Sequence, residues 1–363
     1  MATDRAGTRQ SALRIRLAEA GLDGLLVTHL PNVRYLTGFT GSAGVSLVLA
    51  DDTMLVTDFR YATQAPAEVG GDARVEVVER DVWERVGQRL EGRARTPVVG
   101  FEADGVTVET ARRLAAFDRA VDWRPVTGLV EGLRVAKDEG EVAAIRQAAR
   151  LAADAFEAAV PAVRAGTTER SIAATLEAEL RRRGSEWHPF PTIVASGPRS
   201  ALPHARTAAR VIAPGDLVLI DFGAQVDGYC ADLTRTVVAG RADERQRVVY
   251  DLVREAQRRA LDGLRPGLTG AEGDALARGV IMARGFGEAF GHSLGHGLGL
   301  EVHEAPRLSR ANADPLPDGA VVTVEPGVYL PGWGGVRLED DVHLTRGGAA
   351  LLSDGCTALR ELA

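Results

Sequence analysis

The stretch GHSLGHGLGLEVHEAP, residues 291–306, holds three of the chain's seven histidines among four glycines. His292 and His296 stand four apart, the spacing that pairs two imidazoles on one face of a zinc-binding helix. The glycines oppose that helix. Gly291, Gly295, Gly297 and Gly299 would each cost about 1 kcal/mol against alanine in a helix interior. A loop running into an extended segment suits them better, because glycine lets the backbone approach a ligand closely. His303 completes the cluster. Imidazoles grouped in this way point to metal binding or proton transfer rather than to solvated turn residues. The cluster alone names no chemistry, so partners must come from elsewhere in the chain.

Acids supply the partners. DLVLIDFGAQVDGYCADLTR sets Asp221 at the end of an apolar strand and Asp232 farther along the same stretch. VVTVEPGVY ends another apolar run on Glu325. GVRLEDDVHL places Glu339 inside a third strand, with Arg337 two residues earlier and therefore on the same face. An unpaired buried carboxylate is very costly, so each acid must meet a cation, a metal or a proton. Taken singly, each would be an ordinary salt-bridged acid at a strand edge.

The elements that must position these groups fall into two blocks. In the first, GLLVTH, GVSLVLA, TMLVTD, RVEVVE and TPVVGFEA read as strands, and 8–20, 81–91 and 107–119 carry helical spacing. That alternation indicates a small layered α/β domain ending near 126–133. The second block opens with an amphipathic helix over 138–163 and another after Thr167 and Thr168. Strands follow in PTIVAS, DLVLIDFG and LTRTVVAG, then helices over about 243–264 and 269–284. AVVTVEPGVYL and GGVRLEDDVHL return to strands. Segregated helices and strands make this second block an α+β domain.

Bulk properties narrow the class. The 363 residues allow two domains with real cores. A hydrophobic content of 45% with 26% charged residues is an ordinary globular balance. The net charge of -7 and the scattered arginines give no support to nucleic-acid binding. Lys137 is the only lysine. The first residues lack the apolar run of about 7–15 residues that a secretory signal needs. No segment nears the ~18 consecutive apolar residues of a membrane span. Cys230 and Cys356 offer neither a disulfide framework nor a thiolate zinc cluster. A cytoplasmic, reduced protein fits these features.

In chain order, Asp221, Asp232, His296, Glu325 and Glu339 resemble the ligand set of the pita-bread metallopeptidases, which include methionine aminopeptidase, aminopeptidase P and prolidase. The likeness extends to DFGAQVDGYCADLTRT, GHSLGHGLGLEVHE, VEPGVY and GVRLEDD, and RVAKDEGEVAAIRQA resembles the helix that opens this domain. PNVRYLTGFTGS and TDFRY look like segments of the amino-terminal domain of the proline-specific members and creatinase. The resemblance implies an α+β, pita-bread catalytic domain over 134–363. A smaller α/β, creatinase-type domain over 1–128 would precede it.

Several expectations follow from that resemblance. Four carboxylates balance two divalent ions with a bridging hydroxide, and paired ions lower the pKa of such a water. Oxygen-rich ligation with one imidazole favours manganese or cobalt, with zinc an alternative. Asp232 and Glu339 would bridge the ions, Asp221 would complete one side, and His296 and Glu325 the other. Glu325 would also be the general base. His303 would hydrogen-bond substrate and transition state, His292 would line the substrate pocket, and His204 would shuttle or donate a proton. Arg337 would steady the acidic ligands. His29, His188 and His343 receive no role.

The amino-terminal domain separates the chain from methionine aminopeptidase, and the complete ligand set from creatinase and from non-catalytic peptide-binding relatives. The implied reaction is cleavage of Xaa-Pro in short proline-containing peptides. The chain's compact size favours a dipeptidase (prolidase) over an aminopeptidase P acting on longer peptides. Arg34 and Arg60 are candidates to meet a dipeptide's carboxylate. Relatives of this kind are commonly homodimers.

Overall fold

The computed structural model describes residues 5–79, 81–91, 95–117, 121–353 and 357–362. Its contacts divide the chain into two units, Met1–Arg134 and Val135–Ala363.

The first unit runs α1 (Arg5–Glu19), β1 (Gly24–Val27), α2 (Leu30–Thr37), β2 (Val45–Leu49), β3 (Thr53–Asp58), α3 (Gln64–Val69), β4 (Arg74–Val78), α4 (Val82–Leu90), β5 (Val98–Glu102), α5 (Val108–Phe117), β6 (Asp122–Val126) and α6 (Glu131–Arg134). Its strands lie in the order β4-β3-β2-β1-β5-β6, with β2 antiparallel to both neighbours and the other pairs parallel. β1 and β2 are buried throughout, the apolar residues of both runs interrupted only by Ser46. Four elements escape the sequence patterns, among them the four-residue α6. Helix α2 begins on a Pro-Asn pair that reads as a turn, although proline is at home in a first helical turn. Helix α3 spans only six residues, too few to establish a period. Strand β6 is an edge strand containing Pro125, with little burial to create alternation.

The second unit runs α7 (Glu139–Ala159), α8 (Glu169–Arg182), β7 (Ile193–Ser196), β8 (Leu217–Val226), β9 (Tyr229–Ala239), α9 (Glu244–Gly263), α10 (Gly270–Ala283), β10 (Gly295–Gly297), β11 (Glu304–Leu308), β12 (Val321–Val324), β13 (Gly327–Leu330), β14 (Gly334–Arg337), β15 (Asp340–Thr345), β16 (Gly348–Leu351) and β17 (Glu361–Leu362). Sheets form in the orders β17-β9-β8-β7, β11-β10-β12-β15-β16 and β13-β14. Helix α7 opens with a capping box. Asp138 accepts from the Gly140 and Glu141 amides at 2.8 and 2.9 Å, and Glu141 accepts from the Asp138 amide at 2.9 Å. Thr168 caps α8 by accepting from the Ser171 amide at 3.1 Å.

The β8–β9 hairpin sets the register on which the site depends. Its two-residue turn, Asp227-Gly228, holds both residues left-handed at φ 48° and 74°, matching the twist of the strands. Pairing then runs from Val226 opposite Tyr229 to Gly223 opposite Asp232 and Asp221 opposite Thr234. Because strand side chains alternate, Asp221 and Asp232 project from the same face. The opposite face carries Ile220, Phe222, Ala224, Ala231 and Leu233, which pack with Ala148, Ala152, Ala155 and Phe156 of α7. The Phe156 and Phe222 rings stack at 5.5 Å and 8°.

The two later acid-bearing strands are each broken, where unbroken strands were expected. Pro326 has no N–H to donate, so its run parts into β12 and β13. Leu338 and Glu339 lie in the matching gap between β14 and β15. The β12–β15 and β13–β14 ladders diverge there, with Glu325 and Glu339 at the point of parting. Glu339 instead bridges to Thr234 of β9.

Phe222→Ala removes a fully buried ring from beneath the aspartate-bearing hairpin. It should destabilise the second unit by about 3–5 kcal/mol, read as a fall in its urea midpoint. An unchanged midpoint would show that α7 does not brace the hairpin.

Candidate active site

On the face of β8 and β9 turned away from α7 lies a cavity of about 580 Å³. Asp221, Asp232, His296, Glu325, Arg337 and Glu339 line it, with His204, Arg206 and His303 beside them. Phe190, Pro191 and Ile193 supply an apolar wall. Ligand atoms of Asp232, His296 and Glu339 all lie within 4.8 Å of one another. His296 Nε2 stands 3.7 Å from Asp232 Oδ2 and 3.5 Å from Glu325 Oε1. A short contact joins Arg337 Nη2 to Asp221 Oδ2. Arg337 also donates through Nε to Thr234 Oγ1 at 3.0 Å and through Nη1 to the Tyr329 hydroxyl at 2.8 Å. Thr234 in turn donates to Glu339 Oε2 at 2.6 Å.

This wall has more negative charge than its own cations can balance. Burial pushes the carboxyls of Asp221, Asp232, Glu325 and Glu339 upward. For Asp232 and Glu325 the next cause is the charge of Glu339, and for Glu339 it is that of Asp221. Glu339 reaches about 8. Asp221 Oδ1 and Asp232 Oδ1 are buried without a hydrogen-bond partner. Burial and the neighbouring His303 depress His296 to about 4, so its ring is neutral. His296 Nδ1 lies 3.1 Å from the Gly297 carbonyl, which can only accept, so Nδ1 carries the ring proton. Nε2 therefore aims a lone pair at two carboxylates. Orphaned oxygens and a facing lone pair fit divalent cations, and one imidazole among carboxylates is a donor set suited to hard or borderline ions.

Residues 143–346 match the model of metallopeptidase family M24, and residues 9–136 match that of the Creatinase/Prolidase N-terminal domain. The chain belongs to metallopeptidase family M24. It is therefore a metallopeptidase with a creatinase-type N-terminal domain ahead of a pita-bread domain, in a family that uses divalent metals. The Xaa-Pro dipeptidase of Pyrococcus horikoshii is 35% identical over 92% of this chain and 93% of its own. Among solved structures, the Xaa-Pro dipeptidase from Bacillus anthracis is 40% identical, covers 98% of this chain and 99% of its own, and superposes with a TM-score of 0.93. An X-Pro aminopeptidase from Thermotoga maritima is 39% identical, with 97% and 99% coverage and a TM-score of 0.89.

In this M24 chain the expected site residues converge, with one set back. His292 is not on the cavity wall. Its Nδ1 donates to the Ser293 carbonyl at 2.8 Å, so Nε2 accepts from the Tyr329 hydroxyl at 2.9 Å. Tyr329 thus links His292 to Arg337, a role that its sequence neighbourhood barely signals: a lone hydroxyl in the apolar run GVYL. Arg307 is a second residue without an expected role. It lies directly opposite His296 in the β10–β11 register, and its charge helps depress both His296 and His303. Period-two spacing from His303 through Ala305 is the pattern that points to it. Arg34 and Arg60 belong to the first unit, where Arg34 is half-buried on α2 and Arg60 pairs with Asp58 at 2.7 Å. Cys230 is buried and free, and Cys356 lies outside the described residues. Among the described residues no helix is long and apolar enough to cross a membrane.

The raised carboxyl of Glu339 makes the metal-free protein pH-sensitive. A folded-state value of about 8 against an ordinary 4.5 contributes stability that is fully present below about pH 4.5 and is lost progressively as pH rises from there to about 8. The depressed histidines act with the opposite sign, but only below about pH 6.5. Chelator-treated protein should therefore melt at progressively lower temperature from about pH 6.5 to 8 and level off above that, while metal-loaded protein changes little. Parallel melting curves for the two forms would contradict this charge balance.

Proposed function

We propose that this chain is an Xaa-Pro dipeptidase in which Asp221, Asp232, His296, Glu325 and Glu339 hold two divalent ions. The observation that carries the reading is the four carboxylates gathered about the free lone pair of His296. Full-length similarity to named Xaa-Pro dipeptidases supports the substrate class. Manganese suits the oxygen-rich set, with cobalt or zinc as alternatives. Asp232 and Glu339 are assigned as shared ligands, Asp221 to one ion, and His296 and Glu325 to the other. When bound, the ions would polarise the scissile carbonyl and make water nucleophilic near neutral pH.

The chain's own residues supply the proton handling. Glu325 accepts the proton from the attacking water. The nitrogen of an Xaa-Pro bond carries no hydrogen, so on departure it must take a proton from an acid, and His204 is assigned to deliver it. His303 hydrogen-bonds the substrate as the carbonyl becomes tetrahedral. Arg337 holds Asp221, and through Tyr329 it also holds His292, which supports the cavity wall from behind. Arg307 is the guanidinium we assign to a dipeptide's free carboxylate, in preference to Arg34 or Arg60. The reading includes residues 134–363 as the catalytic domain, 1–128 as the N-terminal domain, a cytoplasmic location and a homodimer. Cleavage of longer peptides is the second reading, favoured by the similarity to an X-Pro aminopeptidase.

Chelator-stripped protein should lose activity and regain it with manganese or cobalt, and Asp232→Asn should be nearly inactive. The loaded enzyme should cleave Xaa-Pro faster than Xaa-Pro-Yaa, and the reverse order would favour the aminopeptidase. Full activity in verified metal-free protein would sink the mechanism, and a monomer mass by light scattering would remove the dimer.

The histidines should fail differently. His296→Ala should lower metal occupancy. His303→Ala should keep both ions and lose about 10²–10⁴-fold in turnover. His292→Ala should fall between the two, and a rise in KM would mark contact with bound substrate. Metal stoichiometry and steady-state rates decide among them, and normal kinetics in all three would return the cluster to solvated turn residues.

A further inference from the structure

Lys137 is the only lysine among 43 basic side chains, so arginine serves at every other basic position. It is also almost sealed from solvent, with a side chain 1% exposed. A guanidinium is a wide planar fork, whereas an ammonium is a compact point charge. The one place where this chain uses the compact cation is a tight one. Lys137 Nζ lies 3.2 Å from Glu304 Oε2, whose side chain is 7% exposed, and 3.4 Å from the Val135 carbonyl.

Glu304 closes the turn that carries His303. Its Oε1 accepts from the Glu301 amide at 3.0 Å. The carboxylate lies over Gly299, where an added Cβ would come within 2.9 Å of both oxygens. Gly299 donates to the Glu301 carbonyl at 2.9 Å and accepts from the Cys230 amide at 2.7 Å, two residues before Asp232. Lys137 donates its own amide to the Gly319 carbonyl at 2.9 Å, just ahead of β12. One ammonium thus stands where the His303 turn and the lead-in to β12 meet, and the turn is tied to β9. His303 precedes Glu304 and lines the cavity, its ring 4.3 Å from that of His296.

We infer that the Lys137–Glu304 pair is a positioning device for the reaction, holding the turn so that His303 meets the substrate beside the metal ligands. Lys137 touches no substrate and acts through His303, so the inference rests on the role assigned to His303 above. Removing the ammonium takes a close counter-charge from a buried carboxylate, and the turn must shift to bring that carboxylate to water. A displacement near 1 Å is enough to cost about 10²-fold in rate.

The test compares Lys137→Met and Glu304→Gln in the manganese-loaded full chain, each alone and combined with His303→Ala. On an Xaa-Pro dipeptide, either single variant should lower kcat by about 10–100-fold, with KM and manganese content near normal. On the His303→Ala background the same changes should cost less than about threefold, because their effect passes through the missing ring. Glu304→Gln preserves side-chain shape and gives the answer if Lys137→Met does not accumulate folded. A normal kcat in the folded single variants would overturn the inference. So would equal losses in both backgrounds, or a loss that tracks manganese content, since each marks a purely structural pair. A normal rate in His303→Ala alone would instead remove the role of His303, and the inference with it.

Discussion

Four carboxylates crowded onto one buried wall cannot all be anions unless cations stand among them. Most features of the second unit serve that constraint. The Asp-Gly turn sets a hairpin register that turns two aspartates the same way. Pro326 parts a sheet so that two glutamates meet where the ladders diverge. Arg337 neutralises Asp221, and the tautomer of His296 leaves a lone pair where only a cation or a proton is welcome. Behind the two aspartates, Ile220, Phe222, Ala224, Ala231 and Leu233 are braced by α7, so these acids cannot turn away into a softer environment.

Behind the acids a second group of buried polar residues fixes the strands. Asp340 accepts from Arg235 at 2.7 Å, from Gln257 at 2.8 Å and from Ser353 at 2.7 Å. Arg235 also donates to the carbonyls of Thr234 and Glu339, joining β9 to the chain break that carries Glu339. Asp341 accepts from the Asp232 amide at 3.1 Å. Networks of this kind are stiff when their members are paired, and stiffness is what closely spaced like charges need if the spacing is to persist until a cation arrives. The ion-pair partner of Asp340 therefore bears on the site without facing it.

The site is more legible in the sequence than its supports are. Asp221 and Asp232 stand out because acids ending or following fully apolar runs conflict with burial. The glycines around His292 and His296 argue against a helix on propensity alone, and β10 is indeed extended. What stays hidden depends on contacts remote in sequence. That Glu339 lies in a break follows from Pro326 in a different segment. That His292 is screened by Tyr329 follows from a side-chain hydrogen bond between residues far apart in the chain, which no periodicity encodes. In the first unit, α2 and α3 are too short, and β6 too exposed, to print a pattern. Tertiary packing supplies what local propensity lacks there.

The preference for arginine extends to the surface as a whole. With Lys137 buried, no lysine side chain faces solvent, and exposed pairs such as Arg95–Asp23, Arg124–Asp122 and Arg346–Asp318 all use guanidinium. Ammonium groups lose their charge near pH ~10.4, whereas guanidinium keeps its charge beyond ~12. Most proteins shed positive charge steeply as solutions become alkaline, and their remaining anions then repel one another. Here the cationic surface does not titrate over that range, so alkaline unfolding would begin from within, at buried phenols or at the acidic wall.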